Sequence, residues 1–310
     1  MRYLFIFIFL GSVQPILHAH TNECYDGSLK RGLIALNEKD FDKAIKTWQV
    51  ALDNCEPDRD QRNTLNNYIE KARLRLNTTT PVTLYVSEPE MVFVKGGSFQ
   101  MGSNSGLEDE KPVHSVTLSS YYIGKYEITQ KQWRDVMGSD LPLLVFKGCD
   151  DCPVEKLNYE EVQTFLAQLN AATGKNYRLP TEAEWEFAER GGNASKNFTY
   201  SGSNEISEVA WYKDNSESKT HPVGKRKVNE LGIYDMTGNV WEWCSDWYDA
   251  NYYSTSPTQN PICSVIGSNH VARGGSWINT PVDCRITHRH GYTPSHRVSN
   301  LGFRVALSSQ

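Results

Sequence analysis

The residue pattern changes near residue 80, and this change most constrains the fold. Residues 29–52 carry apolar side chains at helical spacing, whereas beyond Met91 short alternating runs such as Val113–Leu118 predict strands among many glycines and aromatics. The polar segment Asn77–Pro81 lies between these regions and breaks a helix. We therefore predict a helical domain over residues 20–80, a linker over 81–90 and an α+β domain over 91–310.

The helical segment reads as a pair of antiparallel helices, because its two apolar stripes are broken near Asn37–Asp40. Gly32 and Ala44 are small where such helices must approach closely, so the segment resembles one tetratricopeptide-type hairpin. A further helix, from about Asp58 to Leu76, is expected to pack behind it. Repeats of this kind need about three copies to bury a continuous core. A single hairpin is therefore expected to cap the main domain or to form a dimer. Docking of a partner is the alternative.

The first residues have the plan of a cleavable secretory signal. Arg2 gives a positive start, Leu4–Leu10 is a short apolar core, and Ala19 is a small residue suited to peptidase cleavage. The apolar run is too short to span a bilayer, and an uncleaved anchor is the alternative. We predict a signal peptide over residues 1–19, a periplasmic or secreted protein, and no stable membrane insertion after cleavage.

The charge balance bears on the partners. The chain of 310 residues has a net charge of −5 and carries no basic stripe, which argues against a nucleic-acid surface. Its composition is that of an ordinary globular protein.

Seven cysteines in an exported chain predict disulfides, because these bonds persist in oxidising compartments. Cys24 and Cys55 flank the first helical unit and would staple its ends. Cys149 and Cys152 have the CxxC spacing of a redox or zinc site, but a loop-closing disulfide is the favoured interpretation because no second CxxC accompanies them. The odd count leaves at least one cysteine unpaired or bonded to another chain.

Two helices of the larger domain are marked by capping boxes, in which a side chain before the helix and an acidic one three residues later exchange hydrogen bonds. Asn158 and Glu161 form one such pair, and Thr181 and Glu184 form the other. The remaining sequence is rich in loops, so we expect little regular secondary structure.

The segment from Asp235 to Glu242 contains the ligand types that calcium prefers. Asp235 and Glu242 supply hard carboxylate oxygens, and the backbone at Gly238 and Val240 could turn carbonyl groups toward a common centre. The alternative is that the tryptophans of this segment pack the core while the acids cap turns. We favour calcium, since two carboxylates in one loop otherwise repel each other.

Eight motifs follow one another along the larger domain. In chain order they are MVFVKGGSFQMGS, YYIGKYEITQKQW, CPVEKLNYEEV, YRLPTEAEWEFAERGG, HPVGK, NELGIYDMTGNVWEWCSDWY, RGGSW and SNLGFRVAL. Together these motifs resemble the formylglycine-generating-enzyme, or sulfatase-modifying-factor, family over about residues 91–307. The resemblance implies an α+β fold of the C-type-lectin-like kind. It also implies a structural calcium ion held by the side chains of Asp235 and Glu242 and the backbone of Gly238 and Val240.

The family resemblance further implies a copper(I) site made by two cysteines shortly after RGGSW, and here that pair is incomplete. The two positions are Asn279 and Cys284, and an amide is a poor ligand for Cu(I), which prefers thiolates. If the alignment is anchored on Arg289 instead, Cys284 matches neither thiol and is structural, with Cys244 as a candidate disulfide partner. Cys284 is the candidate catalytic residue if an oxidase activity toward a protein cysteine is retained.

We therefore predict a family member without the two-cysteine copper site, which binds a protein, peptide or glycan ligand. The alternative is a formylglycine-generating oxidase or another metal-dependent oxidase. His288, His290 and His296 could serve as metal ligands, but a polar binding surface is the favoured interpretation of these histidines. The surface from Ser276 to Arg297 supplies aromatic and guanidinium groups of the kind that dominate binding sites. The predicted ligand-binding residues are Ser276, Trp277, Arg285, Arg289, His290, Tyr292 and Arg297.

Overall fold

The computed structural model describes residues 14–38, 40–77 and 86–309. It divides into two compact units, Met1–Thr83 and Leu84–Gln310. Most of the predicted signal peptide (residues 1–13) and the first half of the predicted linker (81–85) lie outside the described residues. None of the described helices combines the length and the apolar character that a membrane crossing requires.

The first unit consists of three helices, α1 (Gln14–Asn37), α2 (Phe41–Asn54) and α3 (Arg59–Asn77). The break predicted between α1 and α2 is confirmed, and the Asp40 side chain caps α2 by accepting a hydrogen bond from the Lys43 amide. The predicted third helix is also confirmed. However, α1 begins at Gln14, well before the predicted start of the helical pattern.

Trp48 fills the centre of the helical unit. Its ring is fully buried, stacks on Tyr68 with ring centroids 5.2 Å apart, and donates a hydrogen bond to the Leu29 carbonyl. A Cβ atom on Gly32 would lie 2.1 Å from the Trp48 Nε1. The glycine is therefore what allows α1 to approach the indole this closely. The predicted Cys24–Cys55 disulfide is confirmed and joins α1 to the end of α2.

The second unit contains nine short strands in three small sheets, a count that covers residues 86–309. A three-stranded antiparallel sheet is formed by β1 (Met91–Val94), β4 (Tyr121–Gly124) and β9 (Ala306–Ser308). A two-stranded sheet is formed by β2 (Gly97–Met101) and β3 (His114–Leu118). The four-stranded sheet has the order β7 (Arg289–Tyr292), β6 (His270–Arg273), β5 (Trp241–Trp247) and β8 (Leu301–Gly302).

Four helices complete this unit: α4 (Gln130–Met137), α5 (Tyr159–Thr173), α6 (Glu182–Glu189) and the single turn α7 (Ile206–Val209). Both predicted capping boxes are confirmed, at Asn158–Glu161 before α5 and at Thr181–Glu184 before α6. Helix α6 differs from an ordinary amphipathic helix because all eight of its residues are buried. Its glutamates therefore need partners within the protein.

Strand β5 lies between the two main hydrophobic clusters of this unit. Trp241 and Trp243 pack into one cluster with Phe165 of α5, and Cys244 packs into the other with Trp185 of α6. Successive side chains of a strand point to opposite faces, so one strand contributes to both clusters. The candidate site lies at the end of this sheet, where β5, β6 and the loop between β6 and β7 meet.

The cysteines of the second unit follow the prediction only in part. The loop-closing Cys149–Cys152 disulfide is confirmed. The Cys244–Cys284 pairing is wrong, because both thiols are free and buried, as is Cys263. The physical reason is that Cys244 belongs to the cluster around Trp185, whereas Cys284 packs with Val209 and other residues of a separate cluster.

Candidate functional site

The RGGSW motif makes the turn that leads from β6 into the candidate site. Gly274 and Gly275 have φ angles of 98° and 72°, a left-handed conformation that favours glycine. A Cβ atom on Gly275 would lie 2.5 Å from the Cys284 sulfur. The second glycine is therefore needed both for the backbone conformation and for the close approach of the segment that carries Cys284.

Asn279, at the first copper-ligand position, is held by contacts within the fold. Its side-chain oxygen accepts a hydrogen bond of 2.9 Å from the Trp241 Nε1 and another from the Ser276 hydroxyl. The Ser276 oxygen in turn accepts a hydrogen bond of 3.0 Å from the Asn300 amide. The amide of Asn279 is thus one member of a polar network that joins strand β5 to two loops.

Cys284, at the second copper-ligand position, is fully buried in a short 3₁₀ turn. Burial raises the pKa of its thiol to about 12. Copper(I) and nucleophilic chemistry both use the thiolate, and this environment disfavours that form. Together, an amide and one buried thiol do not provide the donor set of a two-thiolate copper site.

Four predicted ligand-binding residues are used by the fold itself. Ser276 and Trp277 are buried, and the Trp277 indole donates a hydrogen bond to the Ser299 carbonyl. Arg289 is also buried, and it forms a two-fold ion pair with Glu182 of α6 at 2.8 and 2.7 Å. Arg285 forms a similar pair with Glu110, which is itself buried. The structure therefore does not bring these side chains together on an open surface.

The other three predicted ligand-binding residues lie toward solvent along β7 and the loop that follows it. His290 is exposed, and its ring lies 4.5 Å from the Tyr292 ring. The Tyr292 ring stacks on His296 at 4.9 Å. Arg297 is partly exposed and pairs with Glu161. We call His290, Tyr292 and His296 the β7 aromatic row.

The histidines considered as metal ligands do not form a cluster. His288 is buried and its ring lies against Trp241, whereas His290 is exposed. Burial lowers the pKa of His288, and its Nδ1 atom has no hydrogen-bond partner among the described residues. Within the described part of the chain, no three His, Cys, Asp or Glu side chains meet as metal ligands would.

The predicted calcium-binding carboxylates lie near one buried arginine that the sequence interpretation missed. Arg304 binds both oxygens of Glu242 at 2.6 Å, and the Trp185 indole donates to one of them. Asp235 accepts a hydrogen bond of 2.6 Å from the Gly224 amide. Arg304 lies within the SNLGFRVAL motif, so its place in one of the family motifs was the available signal.

These contacts fit calcium only in part. The Asp235 Oδ1 atom is buried and has no hydrogen-bond partner among the described residues, and burial raises the pKa of this carboxyl group to about 6. A cation would satisfy that oxygen. Glu242, by contrast, would have to share oxygens that Arg304 already binds. Val240, which was predicted to contribute through its backbone, donates its amide hydrogen to buried Glu127. Calcium at this site stays a prediction.

The sequence interpretation also missed a buried ionic network beneath the site. Arg273 of β6 pairs with Glu186 of α6, and both side chains are fully buried. Arg190 pairs with the same glutamate at 2.7 Å. The available signal was the run of glutamates in α6, Glu182, Glu184, Glu186 and Glu189, which covers more than one face of the helix.

A comparison with family models decides the family. The sulfatase-modifying factor enzyme 1-like domain matches residues 75–309. The chain belongs to this family. The resemblance inferred from the motifs is thus confirmed for the sulfatase-modifying factor domain.

Three relatives of this sulfatase-modifying factor domain show how far the similarity extends. The chain is 36% identical to the chaperone protein LppX of Paenibacillus barcinonensis, in an alignment that covers 71% of this chain and 89% of that protein. It is 38% identical to the formylglycine-generating enzyme of Streptomyces coelicolor, in an alignment that covers 69% of this chain and 88% of that protein. Among solved structures, Treponema denticola variable protein 1 is 32% identical with a TM-score of 0.68, covering 74% of this chain and all of that one. The mixed α+β fold predicted for the domain is therefore shared with a solved relative.

Other relatives are much longer than this sulfatase-modifying factor chain. It spans 52% of the serine/threonine-protein kinase Pkn1 of Chlamydia trachomatis, and 38% of the Chlamydia caviae protein of the same name. These proteins are therefore similar to this chain over only part of their length.

Proposed function

We propose that this protein is an exported sulfatase-modifying factor family member that binds a protein, peptide or glycan ligand and lacks the two-cysteine copper oxidase site. The observation that carries the proposal is the hydrogen bonding of the Asn279 side chain. Its amide oxygen is held by Trp241 and Ser276, so the position expected to supply a thiolate supplies a structural hydrogen-bond acceptor. The remaining thiol, Cys284, is buried with a raised pKa.

The ligand would contact the β7 aromatic row. His290, Tyr292 and His296 form a continuous set of rings, and aromatic side chains offer a large contact area at low entropic cost. Arg297 lies beside this row with part of its side chain exposed. Arg285 and Arg289, by contrast, would support the site from within, since each is paired with a buried glutamate.

Two observations support export and protein binding. The Cys24–Cys55 and Cys149–Cys152 disulfides are of the kind that persists in an oxidising compartment. The relative LppX is named a chaperone protein, which is consistent with a partner that is itself a protein.

The alternative is oxidation of a protein cysteine, and the similarity to a formylglycine-generating enzyme favours testing it. The purified protein would be incubated with Cu(I), oxygen and a peptide containing a sulfatase-type cysteine. Mass spectrometry would follow the loss of mass that accompanies replacement of the thiol by an aldehyde. We expect no turnover. Turnover that disappears in Cys284→Ser would overturn the proposal.

The binding role is tested on arrays of immobilised peptides and glycans with the purified protein. We expect a reproducible ligand whose binding is weakened by Tyr292→Ala. Tyr122→Ala is the matched control, because Tyr122 is a partly exposed tyrosine on the separate sheet that contains β4. Equal loss in both variants, or the absence of any ligand whose binding Tyr292→Ala weakens, would contradict a site on the β7 aromatic row.

A further inference from the structure

A cleft of about 530 Å³ lies apart from the β7 aromatic row. One wall is formed by β2 and the loop after it, including Gln100 and Asn104, and the other by the segment after α6, including Asn193 and Asn197. None of the residues that line this cleft belongs to the predicted ligand, copper or calcium sites. The proposed function therefore leaves the cleft without a role.

The cleft is lined mainly by side-chain amides and hydroxyls, and several amide groups are left available. Asn193 donates its amide hydrogens to the backbone carbonyls of Lys95 and Gly96 at 3.0 and 3.1 Å, and its oxygen, which lies over Gly97, remains as an acceptor. The Asn104 oxygen accepts from the Val113 amide at 3.2 Å, which leaves its NH₂ group as a donor. Fixed groups of both kinds thus line one cleft.

Two further amides are uncommitted. The side chains of Gln100 and Asn197 are exposed and make no hydrogen bond within the described part of the chain. An amide group carries both donors and an acceptor. These two side chains could therefore adapt to a ligand that is rich in groups of both kinds.

One guanidinium group with a restricted orientation also lines the cleft. The Nε and Nη2 atoms of Arg190 bind Glu186 at 2.9 and 2.7 Å, and Nη2 also donates to the Gly102 carbonyl at 3.1 Å. The Nη1 atom has no hydrogen-bond partner among the described residues, although it belongs to a residue that lines the cleft. Because Nε and Nη2 are held, a ligand that reaches Nη1 would cost this side chain little further conformational freedom.

Phe99 supplies the apolar part of the lining. It is partly buried against Phe187, with ring centroids 5.0 Å apart. Because successive side chains of a strand point to opposite faces, a ligand that contacts this ring would do so from the face of β2 opposite to the Gln100 side chain.

We propose that this cleft binds a short saccharide. Sugar hydroxyl groups both donate and accept hydrogen bonds, and the uncommitted amides of the cleft do the same. No carboxylate side chain lines the cleft, so a sugar would not meet a fixed negative charge there. The Arg190 donor would bind a hydroxyl group or, in an acidic sugar, a carboxylate.

The test uses the purified full protein and an array of neutral and uronic-acid-containing oligosaccharides, with each bound sugar measured again by calorimetry. We expect Gln100→Ala to weaken binding about tenfold, and Asn197→Gly to act similarly. Asn197 has a φ of 59°, a conformation that glycine adopts freely, so this substitution should preserve the backbone. Unchanged melting temperatures would show that both variants are folded.

Two controls separate this site from the proposed ligand surface. Gln163→Ala removes an exposed amide from α5, outside the cleft, and should leave saccharide binding unchanged. Tyr292→Ala should also leave it unchanged, even if that variant loses another ligand. The proposal is overturned if no sugar on the array binds, or if a bound sugar is insensitive to Gln100→Ala and Asn197→Gly.

Discussion

The indole of Trp241 donates a hydrogen bond of 2.9 Å to the side-chain oxygen of Asn279. Trp241 begins strand β5, and Asn279 lies in the loop after β6. The contact therefore links the GNVWEW motif to the loop that follows RGGSW, between residues 38 positions apart in the chain. Asn279 therefore has a structural role of its own at the position where a copper-binding cysteine is expected.

The three free cysteines should be unreactive in the folded protein. Cys244, Cys263 and Cys284 are buried, and burial raises the pKa of the Cys284 thiol to about 12. Because the thiolate is the reactive form, we expect a thiol reagent at neutral pH to label none of them within minutes. All three should react once the protein is unfolded without reductant. Fast labelling of Cys284 in the native state would contradict the buried position.

Gly32→Ala should destabilise the helical unit even though alanine is the better helix former. The added Cβ atom would lie 2.1 Å from the Trp48 Nε1, and such overpacking costs about 1–3 kcal/mol. Gly27→Ala in the same helix is the matched control, because its nearest contact is the flexible Arg31 side chain at 3.3 Å. We expect that variant to be unchanged or slightly stabilised. Thermal unfolding followed by circular dichroism measures both, and equal effects would refute the packing argument.

Removal of Arg289 should cost far more stability than removal of Arg297. Arg289 is buried and holds both oxygens of buried Glu182, so Arg289→Met leaves Glu182 with only the longer ion pair to Arg273 at 3.6 Å and should cost about 3–5 kcal/mol. The Arg297–Glu161 pair is partly exposed, so Arg297→Met should cost at most about 1 kcal/mol. Denaturant unfolding of both variants gives the comparison. Similar losses would mean that Arg289 is not the buried structural residue described above.

Asp246 should make the protein less stable as the pH rises toward neutrality. Burial, reinforced by the charge of Glu182, raises the pKa of this carboxyl group from its ordinary value to about 7. Between about pH 4 and 7 the folded state therefore binds the proton more tightly than the unfolded state. The contribution of Asp246 is fully present below this range and decreases by about 1 kcal/mol per pH unit within it.

This dependence is measured by comparing the free energy of unfolding of the wild type and Asp246→Asn between pH 4 and 7. The wild type should lose stability relative to the variant as the pH rises. Asp249→Asn is the control, since Asp249 is exposed, and its pH profile should follow that of the wild type. Parallel profiles for the wild type and Asp246→Asn would show that Asp246 does not titrate in this way.

Calcium, if it binds at Asp235, should stabilise the protein through the unpartnered Oδ1 atom. A ligand at a hundred times its dissociation constant adds about 3 kcal/mol. We expect calcium, added after chelation, to raise the melting temperature of the wild type but not of Asp235→Asn. The variant keeps an oxygen for the Gly224 amide, so it should fold. If equilibrium dialysis detects no bound calcium, the predicted site is refuted.

Local features were predictable from the sequence because their causes lie within a few residues. The capping boxes at Asn158 and Thr181 set the starts of α5 and α6, and the polar break near Asp40 separates α1 from α2. The disulfide between Cys149 and Cys152 also closes a short local loop. The ordered motifs identified the family, since each one occupies a short continuous stretch.

Only the tertiary structure decided which polar side chains remain available for binding. Arg289 had the residue type of a ligand-binding group, yet Glu182 of a distant helix captures it in the interior. Cys244 and Cys284 could have paired by residue type, but they pack into separate hydrophobic clusters. Charge pairing and disulfide formation require atoms to meet within a few ångströms, and the folded chain determines those distances between segments far apart in the sequence.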